Sequence, residues 1–332
     1  MPTAPTSTKF YEDFNMFKTI IPLLQQANRV GIFTHQNPDG DAMGSAYALK
    51  LVLAGMGKEA EVYLLPNPDA MAYPLISGME TSGLLKEDCD LLAAVDCADS
   101  RRLGEYEDFF ITHPNTVAID HHITHQSFAG ETAVQDISST CELMCVLFAR
   151  MGIALTQEVA ANLYTGMVCD TGNFKYSCTS PETLRRAADL IAVGIDFARI
   201  SKRVFNTKSP AYYTLMRTAL DRLQFYEKGR VCALYLSQQD FEDAGIDESM
   251  ATGIVTLPTG IEGVEVGVYI RKRGEGEYKV SLRSVERVDV AAIAASIGGG
   301  GHVHAAGYSV YDKTPEEIVA QVLHEIQKQL DV

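Results

Sequence analysis

From Val30 to Asp120 short apolar, β-prone runs alternate with helical stretches, and three of the runs stop at an ionisable residue: VGIFT at His35, LLAAV at Asp96 and TVAI at Asp120. Helical patterns near 140–151 and 156–169 continue the alternation. Strands alternating with helices build a parallel sheet covered on both faces. In such sheets ligands collect outside the carboxyl ends of the strands, so three strands are expected to aim polar groups at one crevice. The fold class is therefore α/β, with a doubly wound parallel sheet in the N-terminal part.

The first strand end is the most crowded. In VGIFTHQNPDGDAMGS, His35, Asp39 and Asp41 surround Pro38 and Gly40 on a tight strand-to-helix turn. Two readings stand side by side at this point. Asp and Gly are ordinary turn and helix-cap residues. Crowded carboxylates also repel one another unless a cation sits between them, and a mixed imidazole and carboxylate set suits hard or borderline divalent metals.

A chain of 332 residues, 46% hydrophobic and 21% charged, is ordinary for a globular protein and favours two domains. The expected division is a first domain over 10–195, a connector over 196–211 and a second domain over 212–332. Phe10, Phe14, Phe17, Ile20, Ile21 and Leu24 recur at helical spacing ahead of the first strand. From about Tyr212 the composition shifts to strands: VCALYLS, VEVGVYIRK and YKVSLRS. No apolar run reaches the 18 or so residues of a membrane span, and MPTAPTST has no basic or apolar leader pattern, so a cytoplasmic protein away from membranes is expected. The seven cysteines are odd in number and form no CxxC pair, which makes them reduced core thiols.

A net charge of −15 argues against a protein that coats duplex DNA, since phosphate binding without sequence readout needs a basic face. Any nucleic-acid substrate should be short. One island departs from this acidity: Arg271, Lys272, Arg273, Lys279, Arg283 and Arg287 face only Glu275, Glu277 and Glu286. Such an island is usually a solvated hairpin, but it could receive an anion.

Five places ask for a joint explanation: His35 with Asp39 and Asp41, Asp96, the triplet Asp120-His121-His122, Asp170, and the run IGGGGHVHAAG around His302. Six of the eight histidines (35, 121, 122, 125, 302, 304) lie in or beside these motifs. On one sheet rim the carboxylates and imidazoles suffice for two divalent ions with a carboxylate shared. Such a pair activates water and clamps the attacking and leaving oxygens of a phosphoryl displacement. Neither a Ser-His-Asp arrangement nor a Walker-type glycine loop competes.

The order HxxxDxD, VD, DHH, CDTGNF and GGGGHxxAAG resembles the DHH phosphoesterase superfamily with its DHH-associated C-terminal domain, over nearly the whole chain. DCADSRRLG, SSTCEL and TGNFKYSCTSPETLRRAADL bring it nearest to the short NrnA-type nanoRNases, which also remove the 3′-phosphate from 3′-phosphoadenosine 5′-phosphate. The resemblance implies a smaller C-terminal α/β domain with a mixed sheet and an active site in the interdomain cleft. It implies that His35 and Asp39 hold one metal, that Asp41, His121 and Asp170 hold another, and that Asp96 bridges both. Asp120 would orient a histidine and His122 would face the scissile phosphate. Arg102, Arg283, Gly299, Gly300, Gly301 and His302 would contact substrate, a short single-stranded RNA of two to about five nucleotides or 3′-phosphoadenosine 5′-phosphate. Mn(II) would be the usual ion, with Mg(II) or Co(II) as substitutes, and a homodimer the usual assembly.

Rival readings share the N-terminal motifs. They are a manganese-dependent pyrophosphatase or exopolyphosphatase, a phosphodiesterase for dinucleotide messengers, and a nucleotide sensor without turnover. The glycine run suits a nucleoside end better than a bare polyphosphate, and a sensor is expected to have lost a ligand, whereas none is missing.

Overall fold

In the computed structural model the chain packs as two units, one ending at Thr207 and the other starting at Lys208. Residues 16–65, 88–251, 253–274 and 276–330 are described. Phe10 and Phe14 of the expected first helix lie outside them.

The first unit contains strands β1 (Arg29–Phe33), β2 (Glu59–Tyr63), β3 (Leu91–Val95), β4 (Thr116–Asp120) and β5 (Glu131–Val134). All pair in parallel, in the order β2-β1-β3-β4-β5. Its helices are α1 (Ile20–Gln26), α2 (Gly40–Gly55), α3 (Glu107–Thr112), α4 (Thr140–Arg150), α5 (Gln157–Asp170), α6 (Pro181–Ala192) and α7 (Phe197–Ser201). Side chains alternate across the sheet with the strand period of two. Leu91, Ala93 and Val95 of β3 enter the core that holds α2, α4 and α5, while Leu92 and Ala94 meet Phe33, Leu103 and Phe110 on the other face. Helical segments thus cover both faces, as the alternation predicts. Strand β5 was not expected.

Two glycines set how closely α2 and α5 approach. A Cβ on Gly44 would stand 2.6 Å from the Asn162 carbonyl oxygen, and one on Gly166 would overlap Cys141 Sγ and lie 2.8 Å from Asp41 Oδ1. The tight crossing brings Asp41 of α2 close to α5, whose last residue is Asp170. Helix α6 begins with a Ser180–Thr183 capping box and Pro181, and Gly194 at φ 101° follows its end.

The second unit contains α8 (Pro210–Asp221), β6 (Gln224–Tyr226), β7 (Val231–Leu236), α9 (Gln238–Ala244), β8 (Val266–Lys272), β9 (Glu277–Ser284), α10 (Val290–Ser296), β10 (Gly300–His302), β11 (Ala305–Tyr311) and α11 (Pro315–Leu330). Its sheet runs β10-β11-β9-β8-β7-β6 and is mixed, with β7 and β8 parallel and the other pairs antiparallel. The strand-rich region does not start at Tyr212 as expected: α8 occupies it, capped by Ser209 and opened by Pro210, with Tyr212, Leu215 and Ala219 buried. No described helix is long and apolar enough to cross a membrane.

Candidate metal centre

Strands β1, β3 and β4 are neighbours, so their carboxyl ends place His35, Asp96 and Asp120 on one rim. His35, Asp96 and Asp120 are all buried. Asp96 holds a left-handed backbone, φ 56°, which is costly for a residue with a side chain and clusters at functional sites. From that position Asp96 Oδ2 lies 3.7 Å from His35 Nε2, and its Oδ1 lies 3.6 Å from His121 Nε2. The Thr140 hydroxyl donates to the same Oδ1 at 2.9 Å.

The cap reading of the Asp39–Asp41 turn holds, and the geometry is compatible with the metal reading as well. Asp39 is the N-cap of α2, its Oδ1 accepting the Asp41 and Ala42 N–H groups at 2.9 and 3.1 Å. The same carboxylate has an oxygen within 4.8 Å of donor atoms of His35 and Asp96, a group able to hold an ion. A second group of the same compactness joins Asp41, His121 and Asp170, and a third joins Asp96, His121 and His122. His121 Nε2 stands 3.2 Å from Asp170 Oδ2, and its Nδ1 faces the Ile137 carbonyl at 3.1 Å, which fixes the ring.

Asp41 is tied to the first turn of α4: Oδ2 accepts the Thr140 N–H at 2.6 Å and Oδ1 the Cys141 N–H at 2.9 Å. Even so, burial and then the Asp96 and Asp39 charges hold its carboxyl well above the usual range. Burial, with the charges of Asp41, Asp39 and Asp96, pushes Asp170 up to about 11. Asp96 goes the other way, because the neighbouring imidazoles of His35, His121 and His122 outweigh its burial. Four carboxylates that cannot all ionise, together with imidazoles, are the donor set of a divalent-ion site. The buried His35 Nδ1 has no hydrogen-bond partner among the described residues. The residues fit metal.

Asp120 is outside the three groups. Its Oδ1 accepts from His122 Nδ1 at 2.7 Å and from the His121 N–H at 2.9 Å, and its Oδ2 accepts from His125 Nδ1 at 2.7 Å. Those bonds override burial and hold the Asp120 carboxyl well below its ordinary range, while the Asp120 bond raises His122. With Nδ1 committed, His122 keeps only Nε2 for an ion or a substrate. Arg102 lies close enough for its charge to oppose protonation of His122, and its carbonyl accepts the Gln36 N–H at 2.7 Å.

In the second unit, the register His302↔Ala305↔Arg283 runs across β10, β11 and β9, so His302 and Arg283 share one face of the sheet two strands apart. Gly300, Gly301 and His302 are exposed. A Cβ on Gly301 would meet the Ala305 carbonyl at 2.5 Å. His304, which had no expected role, pairs its Nδ1 with the Ser284 hydroxyl at 3.0 Å. Sequence reasoning missed Thr140, the Ile137 carbonyl, Gly166 and the grip of His125 on Asp120. Of these only His125 carried a signal, as one of the histidines crowded beside the motifs.

A rim of histidines and aspartates at parallel strand ends, followed by a separate mixed-sheet unit, defines the class, and the chain belongs to the DHH family of phosphoesterases. The DHH family N-terminal domain matches residues 29–167 and the DHHA1 domain residues 228–331. Over 327 residues, 97% of this chain and 96% of the relative, it is 33% identical to the bifunctional oligoribonuclease and PAP phosphatase NrnA of Thermus thermophilus. The Bacillus subtilis protein of the same name is 24% identical over 92% of this chain and 93% of its own. The crystal structure of an exopolyphosphatase-related protein from Bacteroides fragilis superposes with a TM-score of 0.87 at 28% identity, covering 96% of this chain and 98% of that one.

Proposed function

We propose that this protein is a metal-dependent phosphoesterase that hydrolyses short single-stranded oligoribonucleotides, two to about five nucleotides long, and removes the 3′-phosphate from 3′-phosphoadenosine 5′-phosphate. The carrying observation is the pair of compact groups, His35/Asp39/Asp96 and Asp41/His121/Asp170, on one rim with Asp96 reaching toward both. The 33% identity to a relative named for these two activities supports the substrate class.

In this reading His35 and Asp39 hold one ion, Asp41, His121 and Asp170 hold the other, and Asp96 is shared. Mn(II) suits the mixed donor set, with Mg(II) or Co(II) as substitutes. When bound, the pair would polarise the phosphate and lower the pKa of an attacking water. The protein's own part is positioning and charge. Asp120 keeps His122 oriented and favours its protonated form, so that Nε2 can donate to the scissile phosphate. Arg102 adds positive charge beside it. Residues 10–195 are assigned the chemistry, 196–211 the connection and 212–332 recognition of the rest of the substrate through Arg283, His302 and the N–H groups of Gly299, Gly300 and Gly301. A cytoplasmic homodimer that does not bind duplex DNA completes the proposal.

A product assay with added Mn(II) on a dinucleotide, on 3′-phosphoadenosine 5′-phosphate and on pyrophosphate tests it. Mononucleotides and AMP are the expected products. Turnover of pyrophosphate alone would favour the polyphosphate reading, which the Bacteroides fragilis likeness keeps in view, and no turnover of any of the three would favour a sensor.

A further inference from the structure

The loop that follows Asp170 has an unusual backbone and presents an unpartnered aromatic ring. Gly172, Asn173 and Phe174 take φ of 56°, 60° and 64° in succession, a left-handed run in which two of three residues carry side chains. It is held from several sides. The Asn173 N–H donates to the Val168 carbonyl at 2.7 Å, the Phe174 N–H to Thr171 Oγ1 at 3.0 Å, and the Lys175 and Tyr176 N–H groups to the Thr171 carbonyl at 2.9 and 3.0 Å. The Ser201 hydroxyl donates to Asn173 Oδ1 at 3.2 Å, and the Phe174 ring packs against Tyr164 with centroids 6.0 Å apart.

This turn lays the Tyr176 ring flat on Gly172. A Cβ on that glycine would overlap the ring, 2.6 Å from two of its carbons, so only a glycine backbone lets the ring lie there. One face of the ring is thus backed by main chain, yet Tyr176 remains 60% exposed. Among the described residues no other ring packs on it, and its hydroxyl bonds to none of them. Phe174, by contrast, turns inward and packs on the core. A loop shaped only for folding would gain more by turning Tyr176 inward as well.

Position supplies the ligand. The glycine under the ring is two residues from Asp170, so their Cα atoms are at most about 7.6 Å apart. A nucleotide whose phosphate sits at the Asp41/His121/Asp170 group has its base one sugar away, in reach of this ring. We propose that Tyr176 is the platform on which one base of the substrate stacks. The inference rests on the phosphoesterase reading and deepens it. Stacking accepts every base, so the platform favours nucleotides over pyrophosphate without selecting sequence.

The chain contains no tryptophan, so Tyr176→Trp installs a single fluorescent reporter at the platform. In the Mg(II)-loaded protein, AMP is expected to quench its emission and ribose 5-phosphate is not. In parallel, Tyr176→Ala should raise KM for a diribonucleotide about tenfold relative to KM for an abasic analogue, within the range of one stacked base. Tyr176→Phe and Tyr176→Trp should restore the wild-type ratio. Equal losses on the two substrates, no change in the ratio, or equal quenching by AMP and ribose 5-phosphate would overturn the platform. If the wild-type protein cleaves no diribonucleotide, the substrate reading fails, while the fluorescence titration still decides whether a base stacks here. Matching circular dichroism of the Phe and Trp variants guards against a folding defect.

Discussion

His125 Nδ1 donates to Asp120 Oδ2 at 2.7 Å, while His122 takes the other oxygen of the same carboxylate. A buried aspartate gripped on both oxygens has one orientation, and His122 inherits it. His125→Ala should therefore lower kcat by about 10- to 100-fold with metal content unchanged, the usual scale for removing a group that orients a site residue. It should also cost about 1–3 kcal/mol of stability, since the Asp120 oxygen is left buried and unmatched. Metal analysis beside steady-state kinetics checks both; loss of the ions would instead make His125 part of their support.

Asp96→Asn should remove essentially all turnover and leave the fold intact. Asparagine tolerates the left-handed backbone that Asp96 adopts, so the change tests charge with little added strain. A shared carboxylate neutralises both ions, and its loss should release or separate them. Two bound ions with full activity would refute the shared role.

The strand ends His35, Asp96 and Asp120 were legible because each closes an apolar run, and a parallel sheet leaves its carboxyl ends as the place where such residues meet. The left-handed turn at Asp96 was not legible, since no glycine marks it. Thr140 reaches Asp96 only because α4 begins beside the carboxyl end of β3 in space, 44 residues away in sequence. Helix α8 was missed because PAYYTLMRTAL is rich in tyrosine and threonine; the cap at Ser209 and the apolar spacing of Tyr212, Leu215 and Ala219 overrode that propensity.

With Asp170 at about 11 against an ordinary 3.8, the metal-free fold keeps a proton that the unfolded chain releases. The folded state then binds more protons than the unfolded one, so this group lowers stability steadily as pH rises from about 4 toward 11. A divalent ion must displace that proton, and its affinity should rise with pH. Thermal unfolding with and without saturating Mg(II) should show a stabilisation that grows between pH 6 and 8.5, and calorimetry in two buffers should show proton release. A stabilisation independent of pH would mean that Asp170 is already ionised without metal.

Gly166→Ala probes the close approach of α2 and α5. The added methyl would overlap Cys141 Sγ and press on Asp41 Oδ1, so overpacking should cost about 1–3 kcal/mol and weaken metal binding together. Cys145→Ala, one turn further along α4 and also buried, is the control: about 1 kcal/mol lost through a small cavity, with metal content unchanged. Metal loss in the control would place that thiol in the site after all.

The last prediction separates chemistry from recognition. In the proposed reading the acidic groups of the first unit hold metal, so hold on the remainder of the substrate has to come from donors elsewhere. Arg283 shares a sheet face with His302 and offers a planar fork to phosphate. Among the described residues its guanidinium bonds only its neighbour's carbonyl, Nη1 to Leu282 O at 2.9 Å, which leaves most of its donors for a ligand. Arg283→Ala should weaken kcat/KM for a dinucleotide by roughly 1.5–3 kcal/mol, the scale of a charge-assisted hydrogen bond. Hydrolysis of bis-p-nitrophenyl phosphate, which has no nucleoside to hold, should fall much less. Equal loss on both would assign Arg283 to the chemical step or to folding, and recognition would have to be sought elsewhere on the second unit.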